Sequence, residues 1–275
     1  MQEFKYNQKA QDYRATPGLN KSSIEKLLDC PLAYRLSFEQ KEEPTPAMQF
    51  GTLVHTLVLE PENFRDYFHV LSGSATTKAG KAEKAKFAEE GIACISRADF
   101  DKANAMAEMV RAHPAAGWLL DLPGRSEVSM YWEMPTEDGR TRQCKGRADR
   151  IAQVGGGEVI IDLKTHSGTV SPTELERIVA KYGYHRQAAW YRHALSLAGK
   201  PTEGFVLVFC EKTAPYLTTI AVVSEDAQKQ ALNEIREAME KIKICQESGN
   251  WPTYTEGVID LDLPDWYYKE VENHE

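Results

Sequence analysis

The stretch from residue 145 to residue 164 reads KGRADRIAQVGGGEVIIDLK and constrains the fold more than any other part of the chain. Its second half, around residues 159–163, carries the run of β-branched and apolar residues that is typical of a buried strand. Three glycines at positions 155–157 separate this run from the first half. The stretch therefore predicts two short antiparallel strands joined by a tight turn.

The register of that hairpin decides which side chains meet. A two-residue turn formed by glycines 155 and 156 places Asp149 directly opposite Asp162, with their Cβ atoms about 5 Å apart. A three-residue loop through all three glycines shifts the register by one. Alternate side chains of a strand share a face, so Lys164 lies beside Asp162 in either case.

Two carboxylates that close to each other repel strongly unless a cation joins them. Their oxygens suit a hard ion such as Mg²⁺ or Mn²⁺, which keeps positions open for water and a phosphate oxygen. A neighbouring lysine can orient or deprotonate an attacking water. An Asp-x-Lys motif alone more often belongs to an ordinary solvated hairpin, so its interpretation depends on the rest of the chain.

The composition is typical of a globular protein, with 275 residues of which 42% are hydrophobic and 27% charged. No run approaches the roughly 18 apolar residues of a transmembrane helix. The first residues lack the apolar core of a signal peptide, which predicts a cytoplasmic protein that does not engage a membrane. The formal net charge of -8 gives no bulk attraction to a polyanion, so any contact with DNA must come from a local basic surface.

Turn signals and apolar spacing divide the chain into a predicted flexible N-terminal arm, residues 1–18, and a single domain, residues 19–275, with a helical elaboration around residues 60–120. The first helix begins at a cap formed by Asn20 or Ser22 and is interrupted at Cys30-Pro31. Further helices are predicted over residues 48–60, 97–120, 172–198 and 225–248, the third with a break at Gly183. Strands are predicted near residues 125–133, 142–154, 158–164, 205–209 and 217–223.

A histidine lies beside the apolar stripe of the helix over residues 48–60. His55 is one residue beyond the stripe, and a single histidine at such a position is by default a packed or surface residue. Its neutral imidazole would also suit the divalent ion of the hairpin, more readily Mn²⁺ than Mg²⁺. The stripe consists of Leu53, Val54, Leu57 and Val58.

Several polar residues are candidates for contacts with a phosphate backbone. Arg147 shares the strand face of Asp149, and Gln187 and Tyr191 are adjacent on one helix face, although core packing is the alternative for Tyr191. Glu127 can approach the site as an extra carboxylate, but an exposed strand glutamate is the favoured interpretation. Lysines 78, 81, 84 and 86 form a local basic cluster that is either a solvated helix face or a surface that follows phosphates.

Four short motifs occur in order along the chain: Gly51-x-x-x-His55, Gly146-Arg147-Ala148-Asp149, Ile161-Asp162-Leu163-Lys164 and Gln187-x-x-x-Tyr191. Their order resembles the signature of the RecB-like branch of the PD-(D/E)XK nuclease superfamily. More narrowly, the segments LNKSSIEKLLDCPLAYRL and FGTLVHTLVLEPENF resemble the RecE-type exonuclease, the C-terminal nuclease domain of exodeoxyribonuclease VIII. The resemblance covers most of residues 15–260.

The resemblance implies an α/β (α+β) fold with a restriction-endonuclease-like core, in which helices flank a mixed central β-sheet. It implies metal-dependent hydrolysis of DNA phosphodiesters, with Mg²⁺ as cofactor and Mn²⁺ as a substitute. By motif, His55, Asp149, Asp162 and the Leu163 carbonyl are the implied metal ligands. Lys164 is implied to orient or activate the water.

The same resemblance implies that Gln187 and Tyr191 contact DNA. RecE-type enzymes digest one strand of linear duplex DNA from its 5′ end and leave a 3′ single strand for an annealing protein of the RecT type in recombination and repair. They assemble as ring-shaped homotetramers, and enclosure by a ring would let an acidic chain hold DNA. Some relatives carry an iron-sulfur cluster on one N-terminal and three C-terminal cysteines; here Cys30 fits the first position loosely and the trio is absent, so no cluster is expected.

Two other functions compete with the exonuclease. The first is an endonuclease of the same superfamily in repair or restriction, which would cut closed circular DNA. The second is a non-catalytic adaptor that binds DNA ends for recombination. The combination of Asp149, Asp162 and Lys164 argues against an adaptor, because binding alone does not need that chemistry.

Overall fold

The structure is a computed structural model that describes residues 2–39, 44–136, 139, 141–200, 202–264 and 267. The strands are β1 Glu3–Lys5, β2 Phe68–Val70, β3 Ala93–Ile95, β4 Gly124–Pro135, β5 Thr141–Val154, β6 Gly157–His166, β7 Thr202–Glu211 and β8 Thr218–Val222. The helices are α1 Ala10–Ala15, α2 Lys21–Asp29, α3 Pro31–Leu36, α4 Pro46–Leu59, α5 Phe64–Tyr67, α6 Lys78–Glu89, α7 Arg97–Ala112, α8 Pro114–Asp121, α9 Pro172–Tyr182, α10 Tyr184–Leu197 and α11 Glu225–Ser248.

Six of the strands form one mixed sheet in the order β1-β4-β5-β6-β7-β8. Neighbouring strands are antiparallel except β6 and β7, which are parallel. A parallel pair needs a long crossover, and α9 and α10 supply it. The predicted fold class, a mixed sheet flanked by helices, is confirmed.

The β5–β6 hairpin has the register of a two-residue turn. Arg150 pairs with Ile161 and Val154 pairs with Gly157, so Gly155 and Gly156 alone form the turn. Gly155 has φ +56°, a backbone conformation that glycine adopts without a steric cost. The two-residue alternative was therefore the correct one.

Helices cover the sheet on both faces and bury an apolar cluster on each. On one face, α2, α10 and α11 pack over Trp132, Phe205 and Phe209. On the other face, α4, α7 and α8 pack over Ile161 and Val208. The second cluster matters for function because it fixes α4, the helix that carries His55, against β5 and β6.

Most predicted elements are confirmed, including the helix break at Gly183, which has φ +63°. Asn20 caps α2 through a reciprocal pair of hydrogen bonds with Ser23. Trp251 stacks on Tyr34, so this part of the C-terminal tail packs onto the core. The turn residues 137, 138 and 140 and the tail residues Trp266 and Tyr268 lie outside the described residues.

The prediction of a flexible arm over residues 1–18 is wrong. The segment contains β1, which pairs with β4, and α1. Lys145 holds it in place, since its buried ammonium donates to the carbonyl oxygens of Tyr13 at 3.0 Å and Thr16 at 2.5 Å. The segment also covers the sheet face that carries Ser129 and Arg147, and Ser129 is consequently fully buried.

The prediction of one helix over residues 97–120 is also wrong. The helix ends at Ala112, and α8 begins at Pro114, the first residue of the new helix. Proline lacks an N–H and restricts the residue before it, so a break at this point follows from the local sequence.

The lysines of α6 at positions 78, 81, 84 and 86 are exposed, which agrees with a solvated helix face and equally with a surface that follows phosphates. Among the helices that the structure describes, none is long and apolar enough to cross a membrane.

Candidate active site

The sheet opens at one point, around Asp149. The β4–β5 ladder pairs residues on both sides of Glu127 and Asp149 but not these two, although the register places them opposite each other. The β5–β6 ladder ends one residue away, at Arg150 and Ile161. The backbone N–H of Leu163 donates instead to Asp149 Oδ2 at 2.8 Å, so this carboxylate replaces a backbone acceptor where the strands separate.

Glu127 has a positive φ of +52°, a conformation that is uncommon for a residue with a side chain. Strain of this kind costs about 1–3 kcal/mol and persists where the surrounding structure enforces it, often at functional sites. Glu127 lies at the interruption of the β4–β5 ladder, opposite Asp149, and the two carboxylates are neighbours there.

Three ligand atoms of different side chains converge at this opening. A ring nitrogen of His55 and carboxylate oxygens of Glu127 and Asp149 all lie within 4.8 Å of one another. His55 Nδ1 is 3.4 Å from Asp149 Oδ2, and both side chains are largely buried. One imidazole nitrogen and two carboxylate oxygens form a donor set that suits a divalent cation such as Mn²⁺ or Mg²⁺.

Asp162 and Lys164 form an ion pair beside this cluster. Asp162 is fully buried, and its Oδ1 accepts a 2.6 Å hydrogen bond from Gln187 Nε2. Its Oδ2 lies 2.5 Å from Lys164 Nζ and is ion-paired to it. The carboxylates of Glu127 and Asp149 lie close together at the neighbouring cluster and would repel each other without a cation, so the residues present fit a metal site.

The charges of the site are unfavourable in the absence of a cation. Burial and the neighbouring Asp162 raise the pKa of Asp149 well above its usual range. Burial, assisted by Lys164, lowers the pKa of His55, which favours the neutral imidazole that a metal requires. Burial also acts to lower the pKa of Lys164, but Asp162 and Asp149 outweigh it, and the net shift is upward.

The predicted residues are brought together only in part. His55 and Asp149 belong to the three-residue cluster, whereas Asp162 lies beside it in the pair with Lys164. The Leu163 backbone is at the site, because it hydrogen-bonds to both His55 and Asp149.

Glu127 is the residue that sequence reasoning missed, since the favoured interpretation was an exposed strand glutamate. The Glu127 side chain is 24% exposed and its Oε2 lies 2.5 Å from Arg147 Nε. The local sequence did not reveal this position: a four-residue turn over residues 137–140 would pair residue 136 with 141 and place Glu127 opposite Arg150, whereas the observed ladder pairs Pro135 with Thr141 and places Glu127 opposite Asp149.

The expected DNA contacts do not fit the structure. Gln187 and Tyr191 are each 7% exposed, Gln187 behind Asp162 and Tyr191 against Gly146, where an added Cβ would lie 2.8 Å from the Tyr191 ring. The guanidinium of Arg147 is bound to Glu127 and donates to the Gln8 carbonyl at 2.9 Å. Gln187 therefore orients Asp162, Tyr191 belongs to the core beside Gly146, and Arg147 joins the N-terminal segment to the site.

Comparison with known proteins agrees with this geometry. The model of a family described as a PDDEXK-like domain of unknown function, DUF3799, matches residues 21–261. The fold is similar to the crystal structure of a protein from Eubacterium rectale that is provisionally described as an exonuclease, with a TM-score of 0.63 and 14% identity over 96% of this chain and 98% of that chain.

A second solved structure, SSO0001, is more distant, with a TM-score of 0.37 and 14% identity over 85% of this chain and 81% of that chain. No curated protein matches the chain significantly.

Proposed function

Because the chain belongs to the PDDEXK-like family DUF3799, we propose that it is a divalent-metal-dependent nuclease that hydrolyses phosphodiester bonds of DNA. The observation that carries the proposal is the convergence of His55, Glu127 and Asp149 next to the Asp162–Lys164 pair. An imidazole and two carboxylates at a break in a sheet, with an ammonium group beside them, have no role in packing that would explain their burial.

Each residue has a distinct task in this proposal. His55, Glu127 and Asp149 would hold Mg²⁺ or Mn²⁺, with Asp162 adjacent, and such an ion, when bound, polarises the phosphoryl oxygen and activates water. Lys164 is 19% exposed and therefore reaches both the site and the solvent. Its ammonium can orient the attacking water and offset the negative charge that develops on the phosphate.

The finer proposal is an Mg²⁺-dependent exonuclease that digests linear duplex DNA from 5′ to 3′ and leaves 3′ single strands. Two observations support it: the similarity of motifs to RecE-type enzymes, and the fold shared with a protein that is provisionally described as an exonuclease. A homotetrameric ring and an annealing partner of the RecT type belong to the same proposal. Light scattering and pull-down with a purified annealing protein test these two points.

The decisive assay for the function compares linear duplexes that are blocked separately at the 5′ or the 3′ end, and a closed circular duplex, each with Mg²⁺ or with EDTA. The expected result is digestion of linear DNA with a free 5′ end, dependent on the metal and absent from the circle. Cutting of the circle would assign the endonuclease instead.

The matched variants are Lys164→Ala and Lys241→Ala. Lys164→Ala is expected to abolish cleavage while DNA binding persists, because the ammonium acts on the reacting atoms. Lys241 pairs with Glu237 on α11, away from the site, and its variant should cleave normally. Cleavage by purified Lys164→Ala at the wild-type rate would remove the lysine from the mechanism.

A further inference from the structure

Three aromatic side chains form a continuous surface beside Lys164, and we call them the aromatic patch: His166, Tyr182 and Tyr184. The rings of Tyr182 and Tyr184 are stacked, with centroids 5.7 Å apart and planes inclined by 21°. The ring of His166, two residues beyond Lys164 on the same strand, meets Tyr182 edge-on at 6.4 Å. The patch therefore adjoins the ammonium group of the proposed site.

The patch is anchored at its inner end and open at its outer end. Tyr184 begins α10 and contacts the fully buried ring of Phe209, with centroids 5.9 Å apart. Tyr182 ends α9 and is 41% exposed. Helix ends on both sides of Gly183 hold the two tyrosines, so their orientation does not depend on a long loop. An exposed ring on a fixed support is the arrangement that a stacking platform requires.

Positive charge surrounds the patch although the chain as a whole is acidic. The ammonium of Lys164 lies 4.8 Å from the centre of the Tyr184 ring, and that of Lys21 lies 5.7 Å from it. A third ammonium, that of Lys181, lies 5.6 Å from the Tyr182 ring.

The acidic groups nearest these ammonium groups are themselves paired. Asp162 forms the ion pair with Lys164, and Glu25 is bound by two nitrogens of Arg186 at 2.6 and 2.7 Å and lies 3.7 Å from Lys21 Nζ. Lys181 is exposed beside the Tyr182 ring, and its positive charge complements a phosphate backbone.

We propose that the aromatic patch binds an unpaired nucleobase of the strand whose phosphate lies at Lys164. The inference rests on the proposed nuclease function and specifies its substrate as a strand end with at least one base out of the duplex. A base inside a duplex has both faces covered by its neighbours, whereas an unpaired base can stack on Tyr182. From the ammonium of Lys164, the Tyr184 ring comes first and the Tyr182 ring next, which is the direction that a base leaving the scissile phosphate would follow.

The test measures binding separately from cleavage. A single-stranded oligonucleotide with 2-aminopurine at its 5′ end reports stacking by a loss of fluorescence, and an end-labelled copy gives the affinity by anisotropy. Both are measured with Ca²⁺ in place of Mg²⁺, and a gel verifies that the DNA is intact. The variants are Tyr182→Leu, which removes the ring, and Tyr182→Phe, which keeps it. Trp118→Leu removes an exposed ring from α8, in the helix layer on the opposite face of the sheet.

We expect Tyr182→Leu to abolish the fluorescence quenching and to lower the affinity for the oligonucleotide by about 5- to 150-fold. Tyr182→Phe and Trp118→Leu should match the wild type in both measurements. Thermal unfolding verifies that all three variants are folded. Wild-type quenching and affinity in Tyr182→Leu, or an equal loss in Tyr182→Phe, would overturn the inference. In either case, cleavage of linear DNA by the wild type would leave the nuclease function standing. Absence of both binding and cleavage in the wild type would instead refute the function itself.

Discussion

Replacement of Gln187 by methionine tests how the site is built. Methionine has a similar volume but donates no hydrogen bond, so Asp162 Oδ1 loses the 2.6 Å bond that it accepts from Gln187. A hydrogen bond to a charged group contributes about 1.5–3 kcal/mol, and we expect a loss of that size in the free energy of unfolding. Loss of a group that orients a carboxylate at a metal site typically costs about 10- to 100-fold in metal affinity.

A second buried glutamine provides the matched control. Gln228 is 5% exposed and donates to the Val223 carbonyl at 2.8 Å, away from the proposed site. Gln228→Met should destabilise the protein by a comparable amount, because its oxygen also accepts from Arg192. It should leave metal affinity unchanged, which separates the positioning role of Gln187 from a general loss of stability.

Three measurements decide between the two roles of Gln187: urea unfolding in EDTA, calorimetric titration with Mn²⁺, and anisotropy with labelled DNA. The structure predicts a fall in Mn²⁺ affinity for Gln187→Met and little change in DNA affinity. Unchanged Mn²⁺ affinity together with weakened DNA binding would refute the reasoning. That result would restore the direct DNA contact that the sequence motif implied.

Three further variants have defined outcomes. Gly146→Ala should lower the free energy of unfolding by about 1–3 kcal/mol, because the new methyl group would overlap the Tyr191 ring; urea unfolding measures it, and an unchanged midpoint would contradict the packing. Lys145→Met should lower the free energy of unfolding by about 1.5–3 kcal/mol and expose residues 9–16 to hydrogen exchange, because the buried ammonium binds the carbonyl oxygens of that segment. Continued protection of residues 9–16 would show that the pairing of β1 is sufficient to hold the segment. Glu127→Gln should weaken Mn²⁺ binding roughly tenfold or more in calorimetry because one charged ligand is lost, and wild-type affinity would exclude Glu127 from the site.

The hairpin at the centre of the fold was predictable because its determinants are local. Two glycines set the turn, and the side-chain alternation of strands then fixed the positions of Asp162 and Lys164 on one face. His55 was located by the apolar stripe of its helix and by the motif that it completes. The helix break at Pro114 also follows from the local sequence, because a proline at this point disfavours one continuous helix.

The parts that could not be predicted depend on tertiary contacts. Alternation along β4 places Glu127 on the face of Ser129, but the sequence does not reveal that the N-terminal segment covers this face or that the ladder is interrupted at Glu127. The N-terminal segment is held against the sheet by Lys145, which is more than a hundred positions away in the sequence. The burial of Gln187 follows from the packing of α10 on the sheet, which the spacing of Gln187 and Tyr191 does not reveal.

Anomalous diffraction from a crystal soaked in Mn²⁺ tests the central claim most directly. The account predicts a peak at the opening of the sheet, with His55, Glu127 and Asp149 as ligands at about 2.0–2.3 Å. Absence of a peak there while manganese binds elsewhere, or a refined arrangement in which these three side chains face different surfaces, would contradict it.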